Sequence, residues 1–274
     1  MDKNYEIDLR YENGYSKIES CFGLNLHVVE NMHDTGIESY YFDSDYVIAK
    51  AKEKEEKNWA INYLLLEIYN GTRIACNLKP FKPFYTNSNI KTIHNQIFAY
   101  RRINAISLED LEYTSTDSEF KITLRIAMIN KTIRDMLILL NRVSNLDEST
   151  LINYYKIFDF VNTYIDLVEK YRNQILNSTV NIGVIQDIKN TYYDLKNELK
   201  KLKTFKRVTN NYLSVGLVSR HGLQSQTPKE QEMNYDEIFY SCLNSVRYLI
   251  KMNYLSNCFN FDALVKIDLE NKNH

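Results

Sequence analysis

Residues that interrupt regular structure are scarce in this chain. Its 274 residues include only 7 glycines and 3 prolines. Both residue types break helices, glycine because of its backbone freedom and proline because it lacks a backbone donor. Their scarcity therefore predicts long helices. Neither a P-loop nor a GxGxxG sequence occurs, which disfavours nucleotide hydrolases and dehydrogenases that hold phosphates in such loops.

Cysteine is also rare, and the spacing of the cysteines matches no known metal-binding or disulfide motif. The four cysteines, Cys21, Cys76, Cys242 and Cys258, form no CxxC pair. Their spacing fits neither a zinc site nor a compact disulfide framework. There is no HExxH motif and no cluster of histidine with aspartate, so we expect neither a metal nor a cofactor. We expect reduced, buried thiols, as in a cytosolic protein.

Long apolar segments are missing as well. No run approaches the ~20 apolar residues that cross a bilayer, and the first residues lack the basic start and apolar core of a signal peptide. We therefore expect a cytoplasmic protein without a membrane anchor. The composition, 44% hydrophobic and 25% charged, is that of a globular domain. A chain of this length buries enough surface to fold without disulfides.

The first third of the chain alternates apolar and polar residues. Residues 5–11 have the two-residue period of a half-buried strand. Segments 22–29 and 39–49 are rich in aromatic and β-branched residues and predict further strands. We predict a β-rich N-terminal domain over residues 1–118, which ends in the polar break at 114–118.

After this break, the apolar pattern takes the period of helices. Apolar stripes occupy residues 126–140, 151–168 and 185–202. The third keeps a 3-4 spacing that suits either a coiled-coil seam or a long helix within a bundle. Asn234 can cap a last helix. The predicted fold class is α+β, in which the β-rich domain precedes an α-helical bundle over residues 119–274.

Positive charge is concentrated late in the chain. Acidic residues are in excess over residues 1–60 and basic ones over residues 186–232, although the net charge is −1. Four cations recur at helical spacing opposite the third apolar stripe: Lys196, Lys200, Lys203 and Arg207. They predict a face that can follow a phosphate backbone, with Asn210 completing an anion pocket. The alternative is a solvated helix face with Asn210 bonded to its own backbone.

Arg220 and His221 form an Arg-His-Gly element in a polar loop. Histidine transfers protons near neutral pH, and an adjacent arginine can stabilise phosphate charge in a transition state. The pair is therefore the candidate catalytic site. The structural alternative is that both residues bond helix-end carbonyls and hold the loop in place.

Several of these segments occur in the order seen in the bacterial MauJ-like proteins, which the chain resembles over about residues 150–255. The resemblance rests on a Tyr-Lys-Ile helix start, a basic helix end, the Arg-His-Gly loop and a proline before the closing helix. In this chain they are Tyr155–Ile157, Phe205–Asn210, Arg220–Gly222 and Pro228. The resemblance implies a helical C-terminal domain behind a mixed N-terminal domain.

The helical part is also similar to HEPN domains, small helical bundles of bacterial defence systems. Many of these are metal-independent ribonucleases with an arginine, a polar residue and a histidine a few positions on. Here Arg172 starts such a pattern, but Asn177 stands where the histidine is expected. Arg220 and His221 are adjacent instead. A homodimer through the C-terminal helices is a further expectation, since the heptad-like helix over residues 185–202 can pack either within the bundle or against a second copy.

Two functions are consistent with these features. The first is a cytosolic accessory or sensor protein of a bacterial antiviral defence operon, acting by protein or RNA interaction with an operon partner. The second is a metal-independent, HEPN-like ribonuclease that uses Arg220 and His221 at a dimer interface. We favour the first, because the ribonuclease motif is broken in both places: the Arg172 pattern lacks its histidine, and Arg220 and His221 have the wrong spacing.

Overall fold

A computed structural model describes ten segments of the chain: residues 6–10, 25–32, 37–43, 66–80, 82–86, 118–147, 149–177, 182–223, 234–256 and 259–272. The chain divides into two compact units, Met1–Lys131 and Thr132–His274.

The described strands are β1 (Glu6–Arg10), β2 (Asn25–Met32), β3 (Ile37–Asp43) and β4 (Lys82–Thr86). The described helices are α1 (Leu66–Ala75), α2 (Glu119–Ile129), α3 (Lys131–Ser144), α4 (Thr150–Asn177), α5 (Ile182–Thr209), α6 (Tyr212–Val215), α7 (Tyr235–Leu255) and α8 (Phe261–Lys272).

The first unit contains the four strands and helices α1 and α2. The strands lie in the order β2, β3, β1, β4 with antiparallel neighbours. Helix α1 packs against α2 through Tyr69 and Phe120, whose ring centroids are 5.0 Å apart in a T-shaped arrangement. Helix α1 ends at Ala75. Two residues later, Asn77 has a φ of 59°, and asparagine tolerates this left-handed conformation better than most residues.

The predicted α+β fold class with a β-rich N-terminal domain is wrong. Among the residues whose side chains the structure describes, 85% are helical and none lies in a strand. Helix α1 lies inside the region predicted to be β-rich. Strands do form at Glu6–Arg10, Asn25–Met32 and Ile37–Asp43, close to three segments that the sequence predicts as strands, so the error lies in extending a β-rich region over all of residues 1–118. A helical bundle describes the fold better.

The second unit is built on two long antiparallel helices, α4 and α5. Near the start of α4, the Tyr154 hydroxyl donates to the carbonyl of Leu202, near the end of α5. Near the other end, Lys196 Nζ of α5 lies 2.6 Å from Glu169 of α4. Burial of Tyr154 raises the pKa of its hydroxyl, so this group stays a donor. The predicted helical bundle in this part of the chain is confirmed.

Helices α7 and α8 complete the packing around this pair. Helix α7 packs on both α5 and α4, and α8 packs on α4. Tyr164 of α4 contacts Phe261 of α8 with ring centroids 5.1 Å apart. The predicted cap of α7 is confirmed, since Asn234 Oδ1 accepts from the backbone N–H groups of Asp236 and Glu237.

Candidate nucleic-acid interface

Helix α5 separates its apolar and cationic residues onto different faces. Leu195, Leu199 and Leu202 are buried, and α5 packs against α7 and α4. At 3.6 residues per turn, the positions of Lys200 and Lys203 fall off this leucine stripe. Lys200 and Lys203 are accordingly exposed. The exposure of these cations thus follows from the burial of the leucine stripe.

An open groove of about 900 Å³ runs between α4 and α5. Helix α5 contributes four cations and two polar residues to it, and α4 contributes one aromatic and one amide side chain. Its described lining is Phe158, Asn162, Lys200, Lys203, Thr204, Lys206, Arg207 and Asn210. No carboxylate occurs among these described residues. The groove therefore concentrates positive charge over a concave surface, which favours an anionic ligand.

Lys206 forms the wall of the groove that faces α4. Its Nζ lies 4.7 Å from the centroid of the Phe158 ring and 5.7 Å from that of Tyr155. Both rings are buried, so the ammonium sits over apolar surface and is held by cation–π attraction. Lys206 covers Phe158, and the rings of Phe158 and Tyr155 are both buried. The described lining of the groove therefore presents charged groups to a ligand but no exposed aromatic ring.

Lys196 is placed differently from the other predicted cations. It does not line the groove, and its ammonium bonds Glu169 Oε1 at 2.6 Å. Tyr192 donates its hydroxyl to the same carboxylate oxygen at 3.1 Å. The structure thus brings Lys200, Lys203 and Arg207 together and sets Lys196 beside them in a separate polar cluster.

Asn210 lies at the end of α5, where it lines the groove. Its Oδ1 is buried and has no hydrogen-bond partner among the described residues. The neighbouring Asn211, not Asn210, acts as a helix cap, because its Oδ1 accepts from the backbone N–H of Leu213 at 2.9 Å. Asn210 therefore lies in the lining of the groove, and its part in an anion pocket stays a prediction.

The loop that carries Arg220 and His221 is pinned to the end of α5. Gly216, with a φ of 64°, turns the chain out of α6, a conformation that favours glycine. The backbone N–H of Arg220 then donates to the carbonyl of Thr209 at 3.0 Å. His221 is half-buried, and its carbonyl accepts from the Ser219 hydroxyl.

The Arg220 guanidinium is held by α4. Its Cζ lies 3.8 Å from the centroid of the Tyr155 ring, and Nη2 lies 3.9 Å from Asp159 Oδ2. Tyr155 is the ring that Lys206 also approaches. Arg220 is therefore one aromatic ring away from the groove wall, although it does not line the groove.

Sequence reasoning did not single out several groove residues. Lys206 adjoins Arg207 in the basic helix end but falls outside the three-and-four spacing used to define the cationic face. Phe158 was assigned to the apolar stripe of α4, and Asn162 follows it one helical turn later. Phe158 and Asn162 could have been identified as groove residues only from the packing of α4 against α5, and the sequence does not show which helices pack together.

Metal-binding clusters and cysteine thiols are the remaining groups that could carry chemistry. The described residues contain no group of three or more histidine, cysteine, aspartate or glutamate side chains suited to a metal. Cys76 and Cys242 are free thiols, and burial raises the pKa of Cys242. Cys21 and Cys258 lie outside the described residues, as do the side chains of Arg172 and Asn177. No helix in the described segments has the length and apolar character of a membrane span.

Comparison with known proteins identifies no relative. No family model, no curated protein and no solved structure matches the chain. The functional argument therefore rests on the groove and its surroundings.

Proposed function

We propose that this protein binds RNA through the phosphate backbone, in the groove between α4 and α5. The observation that carries the proposal is the cationic lining of that groove. Lys200, Lys203 and Arg207 line it together with Lys206, and no acidic residue is among its described lining residues. Phosphates are the polymeric anions that such a row of cations neutralises with release of counterions.

The geometry favours recognition of charge over recognition of sequence in the groove. Lys206 lies over the Phe158 ring, and both Phe158 and Tyr155 are buried. Phosphate contacts fix the register of a nucleic acid but carry no sequence information. The protein would accordingly serve as an interaction module, in line with the accessory or sensor role in bacterial defence that the resemblance implies.

The test is a binding titration by fluorescence anisotropy. Wild-type protein is compared with the triple variant Lys200→Gln/Lys203→Gln/Arg207→Gln on labelled RNA, and on DNA of the same sequence, over a range of salt. The variant should bind RNA more weakly. The slope of log affinity against log salt should fall by about 2, because each single-strand phosphate contact contributes about 0.7.

A matched control removes three exposed cations elsewhere: Lys156→Gln/Lys251→Gln/Lys266→Gln. It changes the net charge equally and should leave both affinity and salt slope near wild type. Equal weakening in the two triple variants would refute a groove-specific site. RNA incubated in EDTA should be recovered intact; cleavage that disappears in His221→Ala would replace this proposal with the metal-independent ribonuclease.

A further inference from the structure

A second, more enclosed pocket lies beside the groove in the same unit. It has a volume of about 350 Å³, within the range of small-ligand sites. Val168 and Ile188 give it apolar walls, and Phe259 and Tyr193 supply aromatic surface. Tyr193 is 64% exposed, so its ring is open to a ligand.

The pocket and the groove share one face of α5. The pocket is lined by Lys189, Tyr193 and Lys196, and the groove begins at Lys200, one turn further on. Residues three or four apart in a helix stack on the same side. From Lys189 to Arg207 this face extends about 27 Å at 1.5 Å per residue. A ligand lying along α5 therefore meets both sites.

Resting on the proposed function, we propose that this pocket accepts one unstacked nucleobase of a single-stranded RNA whose phosphates lie in the groove. Cationic tracks combined with aromatic side chains are the usual means of holding single strands, because every base has a face that can stack on an aromatic ring. The groove presents no open aromatic surface, whereas the pocket does.

The polar groups of the pocket suit the edge of a base. Lys196 and Tyr192 converge on Glu169 Oε1 at 2.6 and 3.1 Å, so donors and an acceptor stand side by side. Lys189 is exposed at the pocket, where it can meet the flanking phosphate.

This arrangement predicts a preference for single strands over duplexes. A base within a duplex is paired and stacked, and its extraction carries a free-energy cost that a single strand does not incur. A duplex would therefore keep its phosphate contacts with the groove and lose the pocket. The single strand gains the stacking contribution, which truncation of one aromatic side chain reduces by about tenfold in affinity.

The experiment measures affinity for three labelled probes: a uridine oligomer, the same backbone with abasic riboses, and an RNA duplex. Tyr193→Ala should bind the uridine oligomer about tenfold more weakly than wild type and the abasic strand equally well. Tyr193→Phe keeps the ring and should retain the wild-type affinity. Tyr240→Ala removes a tyrosine of α7 that is similarly exposed, at 59%, and should have no effect.

The outcomes separate this inference from the proposed function. If Tyr193→Ala binds the uridine oligomer like wild type, or if wild type binds the duplex as tightly as the strand, the pocket is not a base site. The groove proposal survives that result provided the Lys200/Lys203/Arg207 variant still loses affinity. If wild type binds none of the probes, both proposals are wrong.

Discussion

At the scale of single residues, Arg220 is the side chain for which a structural role and a ribonuclease role can be compared. Its backbone N–H bonds the carbonyl of Thr209 and its guanidinium covers Tyr155. These contacts fit the structural reading, in which the residue holds its loop against α5 and α4. The ribonuclease reading requires instead that the guanidinium be available to a phosphate, and it stays a prediction.

We expect Arg220→Ala to lower the free energy of unfolding by about 0.5–1 kcal/mol, the usual worth of an exposed cation–π contact. The ion pair with Asp159 adds little, because both side chains are substantially exposed, at 40% and 51%. Arg220→Lys should recover only part of the loss, since an ammonium lacks the planar stack. Urea unfolding followed by far-UV circular dichroism measures both. An unchanged urea midpoint in Arg220→Ala would show that the contacts of the guanidinium with Tyr155 and Asp159 do not stabilise the fold.

At the scale of elements, helix boundaries depend on individual side chains that the apolar period does not reveal. The apolar stripe over residues 126–140 predicts a continuous helical face. The helix is nevertheless interrupted at Asn130, between α2 and α3. Asp262 of α8 accepts from the backbone N–H of Thr132 at 3.2 Å and from its hydroxyl. A residue 130 positions away thus satisfies a backbone donor in the first turn of α3.

Helix α7 provides a test of local capping. Replacing Asn234 with alanine removes the acceptor for two backbone donors of the first turn, and such losses cost about 1 kcal/mol. Asn234→Asp keeps an acceptor oxygen and should remain close to wild type. The urea midpoints of the two variants check this. Similar midpoints for alanine and aspartate would show that the cap contributes nothing to the stability of the second unit.

At the scale of the whole second unit, Asp268 ties α8 to α4. Its carboxylate bonds Lys170 at 2.6 Å, Lys272 at 2.7 Å and the Tyr171 hydroxyl at 2.9 Å. The hydrogen bond from Lys170, followed by those from Lys272 and Tyr171, holds the pKa of this carboxyl well below its usual range. The carboxylate that ties α8 to α4 is therefore the charged form, and its protonation removes these contacts.

The pKa shift of Asp268 predicts a loss of stability in acid. An unfolded aspartate titrates at about 3.9, and the folded carboxyl titrates lower, so the unfolded state takes up the proton first. The contribution is complete above about pH 5 and is lost progressively as the pH falls further. Asp268→Asn should therefore unfold more easily than wild type at about pH 7, and the difference should shrink towards about pH 2.

Urea midpoints at several pH values measure this difference. Glu270→Gln is the matched control, because Glu270 is 62% exposed and its ion pair with Lys266 is long, at 4.0 Å. We expect its midpoint to follow that of wild type at every pH. A gap between Asp268→Asn and wild type that is the same in acid and at neutral pH would contradict the assignment.

The sequence alone determined the helices of the second unit and the faces they bury. Apolar residues recur with the period of a helix in α4 and α5. The hydrophobic effect favours burial of that face against any apolar partner. The same periodicity exposes Lys200, Lys203 and Arg207. The predicted β-rich domain failed, because the strand pattern of the first segments was extended to residue 118 across a stretch that contains helix α1.

Only the tertiary structure decided which helices meet, and hence what the cations face. Pairing α4 with α5 places Phe158 and Asn162 opposite Lys203 and Arg207 and makes a groove from a helix face. It also brings Glu169 to Lys196, which removes that lysine from the groove. Contacts between residues 27 positions apart depend on how two surfaces fit together, and a local period carries no information about the partner.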